Sequence, residues 1–317
     1  MEKYAVYVPR LVKKAETFSP GHRACIGCGE ALAIRQAFKA IGNNIIVVNA
    51  TGCAEIFGGQ FPNVAWRVPW IHTLFENTAA VASGAVSAYK AMLRKGIKLP
   101  DNVKFLAIGG DGGTSDIGLQ ALSGALERGH DFTYICFDNE AYMNTGIQRS
   151  SATPFGAATT TSPAGKKSVG QFSWKKNMPA IAAAHNIPYV ATATHGYPFD
   201  LMAKVAKAVA TPGPAYIHVL SACPTGWRSA TDTINRQVRL AVQTGVFPLF
   251  EVENGVYKMT IEVPKLRPVA DYLKTQGRFR HLSDDVIAKI QARVELEYQK
   301  LLEKANNGRK TAKTKSR

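Results

Sequence analysis

Two polar clusters carry residue types able to hold a phosphorylated, metal-dependent ligand. The first is Gly109-Gly110-Asp111-Gly112-Gly113-Thr114-Ser115-Asp116, and the second is Asp138-Asn139-Glu140-Ala141-Tyr142-Met143-Asn144-Thr145-Gly146. Glycines let a backbone approach a ligand closely. Asp111 offers an anionic oxygen and Asn139 a neutral one. Mg²⁺ takes a few such protein oxygens and keeps phosphate and water as its other ligands. Asn144, Thr145 and Gly146 add hydrogen-bonding groups for phosphate. Gly, Asp and Asn are also ordinary turn residues, so the first cluster alone reads more readily as a polar turn. The second cluster, at the end of the next apolar run, shifts the reading to a diphosphate–Mg²⁺ clamp.

A second kind of chemistry lies in the cysteines. Cys25 and Cys28 are two residues apart, while Cys53 and Cys223 stand alone, each after an apolar run. Four thiolates brought together imply a structural zinc or an iron–sulfur cluster. A zinc ribbon normally shows two close pairs, and here there is one pair with two singletons. Spacing leaves zinc, iron–sulfur and packed thiols all open. Cys136 lies inside an apolar run and reads as a core thiol.

These residues need a scaffold whose strands end together. Apolar runs at 103–108 and 132–137 predict two buried strands, with a helix over 116–128 between them. Asp116 is placed to cap that helix. Glu30, just after Cys28-Gly29, suits a helix N-terminus. Helices are predicted over 30–41, 77–93, 200–210, 231–244 and 282–305, with another starting at 179–185. Further strands are predicted at 45–48, 188–194 and 215–220, and a hairpin over 250–263 turning at Glu253-Asn254-Gly255. The stretch 147–178, which includes Lys175 and Lys176, is long, irregular and a candidate functional loop. The alternation predicts an α/β protein with a doubly wound, mostly parallel sheet, whose strand carboxyl ends form one rim. The expected organisation is an N-terminal arm (1–20), a ligand-binding domain (21–254), a hairpin and helical extension (255–305) and a basic disordered tail (306–317). His22 and His72 read as structural histidines.

The 317 residues carry 39 Lys and Arg against 23 Asp and Glu, a formal charge of +16. That charge is spread out and no nucleic-acid motif accompanies it, so anionic protein or cofactor partners are expected rather than nucleic acid. A zinc-stabilised nucleic-acid-binding protein remains the remote alternative. No apolar run is long enough to cross a bilayer. A cytoplasmic protein with no membrane contact is expected.

Gly110-Asp111-Gly112, then 26 residues (113–138), then Asn139 resembles the thiamine diphosphate motif of thiamine-dependent enzymes. The run 138–148 resembles one branch, the β subunits of 2-oxoacid:ferredoxin oxidoreductases, and among them the pyruvate:ferredoxin oxidoreductases. The likeness extends from about Ser19 to Asn254. It implies the thiamine diphosphate-binding fold. It implies Mg²⁺ at Asp111, Asn139 and the carbonyl of Ala141, with Gly110, Gly112, Gly113 and Thr145 also binding the cofactor. It further implies a [4Fe–4S] cluster on Cys25, Cys28, Cys53 and Cys223, Glu30 near the aminopyrimidine, and Asn144 facing the substrate. Many relatives have Pro-Cys-Pro at the fourth cysteine. Ala222-Cys223-Pro224 departs from that but keeps the ligand. The implied reaction is oxidative decarboxylation of pyruvate with coenzyme A, electrons leaving through the cluster to ferredoxin. Oxalate, 2-oxoisovalerate and 2-oxoglutarate are the alternative substrates, and an iron-free thiamine-dependent decarboxylase is a further alternative. The chain lacks the expected carboxylate for the pyrimidine and any second cysteine-rich pattern. A pyrimidine-binding α subunit, a γ subunit and a ferredoxin-like δ subunit are therefore expected partners, with the chain inactive alone.

Overall fold

The computed structural model describes residues 15–315. Residues 1–14 of the expected arm lie outside that range. Within it, Phe18 bridges to Trp66 and is buried.

The chain runs α1 (Gly29–Ile41), β1 (Ile45–Ala50), α2 (Cys53–Gly58), β2 (Trp70–Thr73), α3 (Thr78–Arg94), β3 (Lys104–Gly110), a π-helical turn (Gly113–Ile117), α4 (Leu119–Glu127) and β4 (Thr133–Asp138). There follow a two-residue pair, β5 (Ala164–Gly165) and β6 (Ser168–Val169), then α5 (Met178–Ala183), β7 (Tyr189–Thr194), α6 (Pro198–Ala210), β8 (Ala215–Leu220) and α7 (Pro224–Trp227). The chain closes with α8 (Ile234–Gln243), β9 (Phe250–Glu253), β10 (Val256–Met259), α9 (Val269–Leu273) and α10 (Asp284–Lys315).

Eight strands form one sheet in the order β10-β9-β7-β8-β4-β3-β1-β2. All neighbours from β7 to β2 pair parallel, and β9 joins β7 antiparallel. Every residue of β4, β7 and β8 is buried. Strands covered on both faces read as unbroken apolar runs, which is why these were visible in the sequence. One face packs against α1 and α6, through Ile34, Phe38, Leu201 and Val205. The other packs against α3, α4, α5 and α10, through Val86, Leu122, Met178 and Tyr298. Because the central strands are parallel, the carboxyl ends of β1, β3, β4, β7 and β8 share one edge. No helix among the described residues is long and apolar enough to cross a membrane.

The expected hairpin turns at Asn254-Gly255, both at positive φ (48° and 79°). That pair is the signature of the turn whose twist matches a hairpin. Its strands extend the main sheet, so a boundary at 254/255 cuts through one hairpin. Helix α10 continues to Lys315. The tail expected to be disordered from 306 is therefore helical through 315. Short elements that were not expected include α2, β2, β5, β6, α7 and α9. β2 is an edge strand of four residues with a mixed burial pattern, and it carries no apolar run for a sequence to reveal.

Candidate active site

The rim of the sheet gathers the singled-out residues. Asp111 directly follows β3 and is 1% exposed. Its Oδ2 accepts a 2.5 Å hydrogen bond from Ser150 Oγ. Burial, then the nearby charge of Asp138, pushes its carboxyl well above the ordinary carboxylate range. Asn139 directly follows β4. Its Nδ2 donates to Glu30 Oε2 at 3.1 Å, while its Oδ1 is buried without a hydrogen-bond partner. A buried oxygen left unsatisfied next to a strained carboxylate is what a bound cation would resolve. Glu30 is buried at the start of α1, and burial raises it to about 7, against the amide of Asn139 and the backbone of Ala54.

A cleft opens over these groups. Asp111, Gly112, Asn139, Asn144 and Thr145 line it, with Cys53 and Glu30 on one wall and Gly110, Gly113 and Ala141 completing it. At Gly112 an added Cβ would lie 2.3 Å from the Tyr142 ring, so the backbone there is bare because a side chain will not fit. Tyr142 Oη donates to the Gly112 carbonyl at 3.0 Å, which ties the two polar clusters together. Thr145 Oγ1 donates to Gln148 Oε1 at 2.6 Å. The cleft that this chain forms by itself is small, about 30 Å³.

The local backbone departs from the expected helix over 116–128. The π-helical turn comes first, with Gly118 N bonded to Gly113 O at 2.8 Å, and α4 starts only at Leu119. A Cβ at Gly118 would sit 2.1 Å from that same carbonyl. π turns are frequent at functional sites. Asp116 is not an N-cap. Both its carboxylate oxygens accept from Ser151 N, at 3.2 and 3.1 Å. It pins the start of the 147–178 stretch beside the clamp.

The cysteines come in on the same edge. Cys28 caps α1, its Sγ accepting from Ala31 N at 3.4 Å, and its own N–H bonds the Cys25 carbonyl at 3.1 Å. Cys223 caps α7, its Sγ accepting from Gly226 N at 3.4 Å. Cys53 is the first residue of α2. Gly29 N donates to the Ala222 carbonyl at 3.0 Å, which fastens the Cys25–Cys28 turn to the Cys223 turn. Burial first, then Glu30, pushes the Cys28 thiol up to about 12. Cys53 is raised by burial, by Glu30, and by Cys223 and Cys28. Cys223 is raised by burial, against the Gly226 N–H, with Glu30 and Cys25 adding to the rise. Cys223 is thus within electrostatic reach of Cys25, Cys28 and Cys53. No three Cys, His, Asp or Glu side chains among the described residues converge on a single metal ion. Cys136 is fully buried in β4, as a core thiol should be. His22 stacks on Phe18 and His72 on Trp70.

Gly29 allows another close approach in this region. A Cβ there would lie 2.6 Å from the Ala222 carbonyl and 2.5 Å from His195 Nε2. Gly29→Ala is expected to destabilise the chain by about 1–3 kcal/mol through overpacking, read as a lowered midpoint of thermal unfolding. An unchanged midpoint would contradict the packing described.

Sequence reasoning missed Ser150, Lys175, Trp227 and Arg278. Lys175 Nζ pairs with the carboxylates of both Asp138 and Glu140, on either side of Asn139. Only the length and basic content of the 147–178 stretch signalled that one. The contacts of Trp227 and Arg278 left no signal, because their partners lie far away in sequence.

Residues 50–219 match the family of thiamine pyrophosphate enzymes, C-terminal TPP binding domain. The chain is 56% identical to pyruvate synthase subunit PorB of Methanocaldococcus jannaschii over 279 residues, covering 88% of this chain and 94% of that one. It is 52% identical to pyruvate synthase subunit PorB of Pyrococcus furiosus, covering 88% and 90%. It is 48% identical to ketoisovalerate oxidoreductase subunit VorB of Pyrococcus abyssi, covering 93% and 97%. Its fold is similar to that of a 2-oxoglutarate:ferredoxin oxidoreductase from Magnetococcus marinus solved with 2-oxoglutarate, coenzyme A and succinyl-CoA bound. The TM-score is 0.55 at 20% identity, over 89% of each chain. With the two polar clusters on one sheet edge and relatives matching along nearly their whole length, the chain belongs to the 2-oxoacid:ferredoxin oxidoreductase family, in its thiamine diphosphate-binding β subunit branch.

Proposed function

We propose that this chain is the thiamine diphosphate-binding subunit of a pyruvate:ferredoxin oxidoreductase, which forms acetyl-CoA and CO₂ from pyruvate and coenzyme A. The observation that carries the reading is the unpartnered, buried Oδ1 of Asn139 beside Asp111, in a cleft whose wall includes Cys53. Asp111, Asn139 and the Ala141 carbonyl would hold Mg²⁺, and Gly110, Gly112 and Gly113 would let the diphosphate approach the backbone. Bound thiamine diphosphate would supply the electron sink that lets a 2-oxoacid lose CO₂. Glu30 stands between Asn139 and the cysteines, where it faces the edge of the cofactor site. Asn144, in the turn over the cleft, would face the substrate. Thr145 would add a hydroxyl for phosphate. The thiolates of Cys25, Cys28, Cys53 and Cys223 would hold a [4Fe–4S] cluster as the first electron acceptor on the way to ferredoxin.

The small cleft supports a shared site. A cofactor the size of thiamine diphosphate needs a second surface to cover it, which favours a pyrimidine-binding α subunit, with γ and ferredoxin-like δ subunits completing the complex. The five cysteines are unbridged, as suits a reducing cytoplasm. The 48% identity to a ketoisovalerate oxidoreductase subunit favours 2-oxoisovalerate as the second substrate reading.

The test is the iron, sulfide, Mg²⁺ and thiamine content of the anaerobically purified complex, followed by viologen reduction with pyruvate, 2-oxoisovalerate, 2-oxoglutarate and oxalate. Four irons or more per copy of this chain, one thiamine, and pyruvate as the fastest substrate are expected. A colourless complex, or one that turns over 2-oxoisovalerate faster than pyruvate, would overturn the corresponding part. Robust turnover by the chain without partners would overturn the shared site.

A further inference from the structure

The turn that carries Cys223 and the loop that carries Asn139 are joined by one buried aromatic side chain. Trp227, at the end of α7, is fully buried. Its Nε1–H donates to the backbone carbonyl of Asn139 at 2.9 Å. The three residues between Cys223 and that indole include Gly226, where an added Cβ would lie 2.1 Å from Met143 Sδ. The Cys223 turn therefore packs on the Asn139–Gly146 loop at two points.

Arg278 braces this contact from the far end of the chain. It is 2% exposed. Its guanidinium lies 4.4 Å over the Trp227 ring, its Nε donates to Gln276 Oε1 at 2.9 Å, and its Nη2 pairs with Glu140. Glu140 sits at φ 71°, a conformation that a glutamate holds only when its surroundings fix it. Arg278 and Lys175 do so from two sides. The Asn139 peptide is thus gripped on its carbonyl by Trp227 and through the next side chain by Arg278.

We propose that Trp227, braced by Arg278, is a positioning residue that fixes Asn139 relative to Cys223, and so sets the placement of the diphosphate clamp against the thiolate set. The inference rests on the reading of Asn139 as a metal ligand. Groups one bond removed from a ligand orient it, and losing one typically weakens metal binding about 10–100-fold. An indole is suited to the role because it offers a single donor at a fixed distance from a large packed body.

The test uses the complex stripped of Mg²⁺ by chelation, titrated with thiamine diphosphate and Mg²⁺ by calorimetry, with iron content measured in parallel. Trp227→Phe keeps an aromatic ring under Arg278 and removes the N–H together with the second ring of the indole. It is expected to weaken Mg²⁺-dependent thiamine diphosphate binding about tenfold with iron per complex unchanged. Val242→Ala, in the same C-terminal core but away from Asn139, controls for general loosening and is expected to bind as the wild type does. Binding by Trp227→Phe within twofold of the wild type, or an equal loss in Val242→Ala, overturns the inference. Should Trp227→Phe fail to assemble, Arg278→Lys takes its place. It keeps the charge for Glu140 but loses the planar stack, and the same thresholds decide. A wild-type complex that bound no thiamine diphosphate would instead overturn the clamp reading itself, and this inference with it.

Discussion

Asp111→Asn in the assembled enzyme is expected to lower turnover about a thousandfold or more, exceeding the loss typical of a group that merely supports a metal ligand. The substitution is nearly isosteric and keeps an oxygen for the Ser150 hydroxyl, which now donates to Asp111 Oδ2 at 2.5 Å. What it removes is the anionic oxygen proposed to hold Mg²⁺. The same change should make the empty chain more stable. Asp111 is buried, and both burial and the Asp138 carboxylate disfavour its charge. Neutralising it relieves a strain kept for function, and a gain of about 1–2 kcal/mol is in the usual range for such sites. Turnover in the complex and thermal unfolding of the metal-free chain check the two halves. A variant that lost activity and also melted lower would mean that Asp111 is a structural residue.

The second large effect is expected at Lys175. Its ammonium serves Asp138 and Glu140 together. Burial opposes its charge, but the two carboxylates outweigh burial and raise its pKa. Lys175→Met would leave two buried carboxylates short of a partner. Breaking a buried pair by removing one member costs about 3–5 kcal/mol. His218, 2.7 Å from Asp138, and Arg278, on Glu140, remain to soften the loss. About 3 kcal/mol is therefore expected, a fall of about 6–12 °C in the unfolding midpoint for a chain of this size. Because Asp138 and Glu140 flank Asn139, thiamine diphosphate binding should weaken as well. Lys175→Met melting within 2 °C of the wild type would show that the remaining partners suffice and that the pairing adds little.

What the sequence made legible follows from how signals decay with distance along a chain. Buried parallel strands show as apolar runs, so β3, β4, β7 and β8 were foreseen within two residues. The residues immediately after those strands inherit that certainty, which is why Asp111, Asn139 and Cys223 could be placed on one rim. Asp116 was misjudged because the backbone chose a five-residue hydrogen-bond ring at Gly113–Gly118, and hydrophobic periodicity cannot report that choice. The helical end at 306–315 was read as disorder from its charge, yet it continues a helix already anchored by Tyr298 and Ala305 in the core. Trp227 and Arg278 stood beyond reach for a different reason. Their contacts span 88 and 138 residues, and nothing in the local sequence of either names its partner.

The shallow cleft has a consequence for the cell. A chain whose own cleft is only about 30 Å³ leaves the edge proposed to carry the chemistry open to solvent when it stands alone. Copies made in excess would be silent bystanders rather than stray, electron-leaking catalysts. Yield would then follow whichever polypeptide is scarcest, and synthesis of the set in fixed proportion would matter more than the amount of any one member.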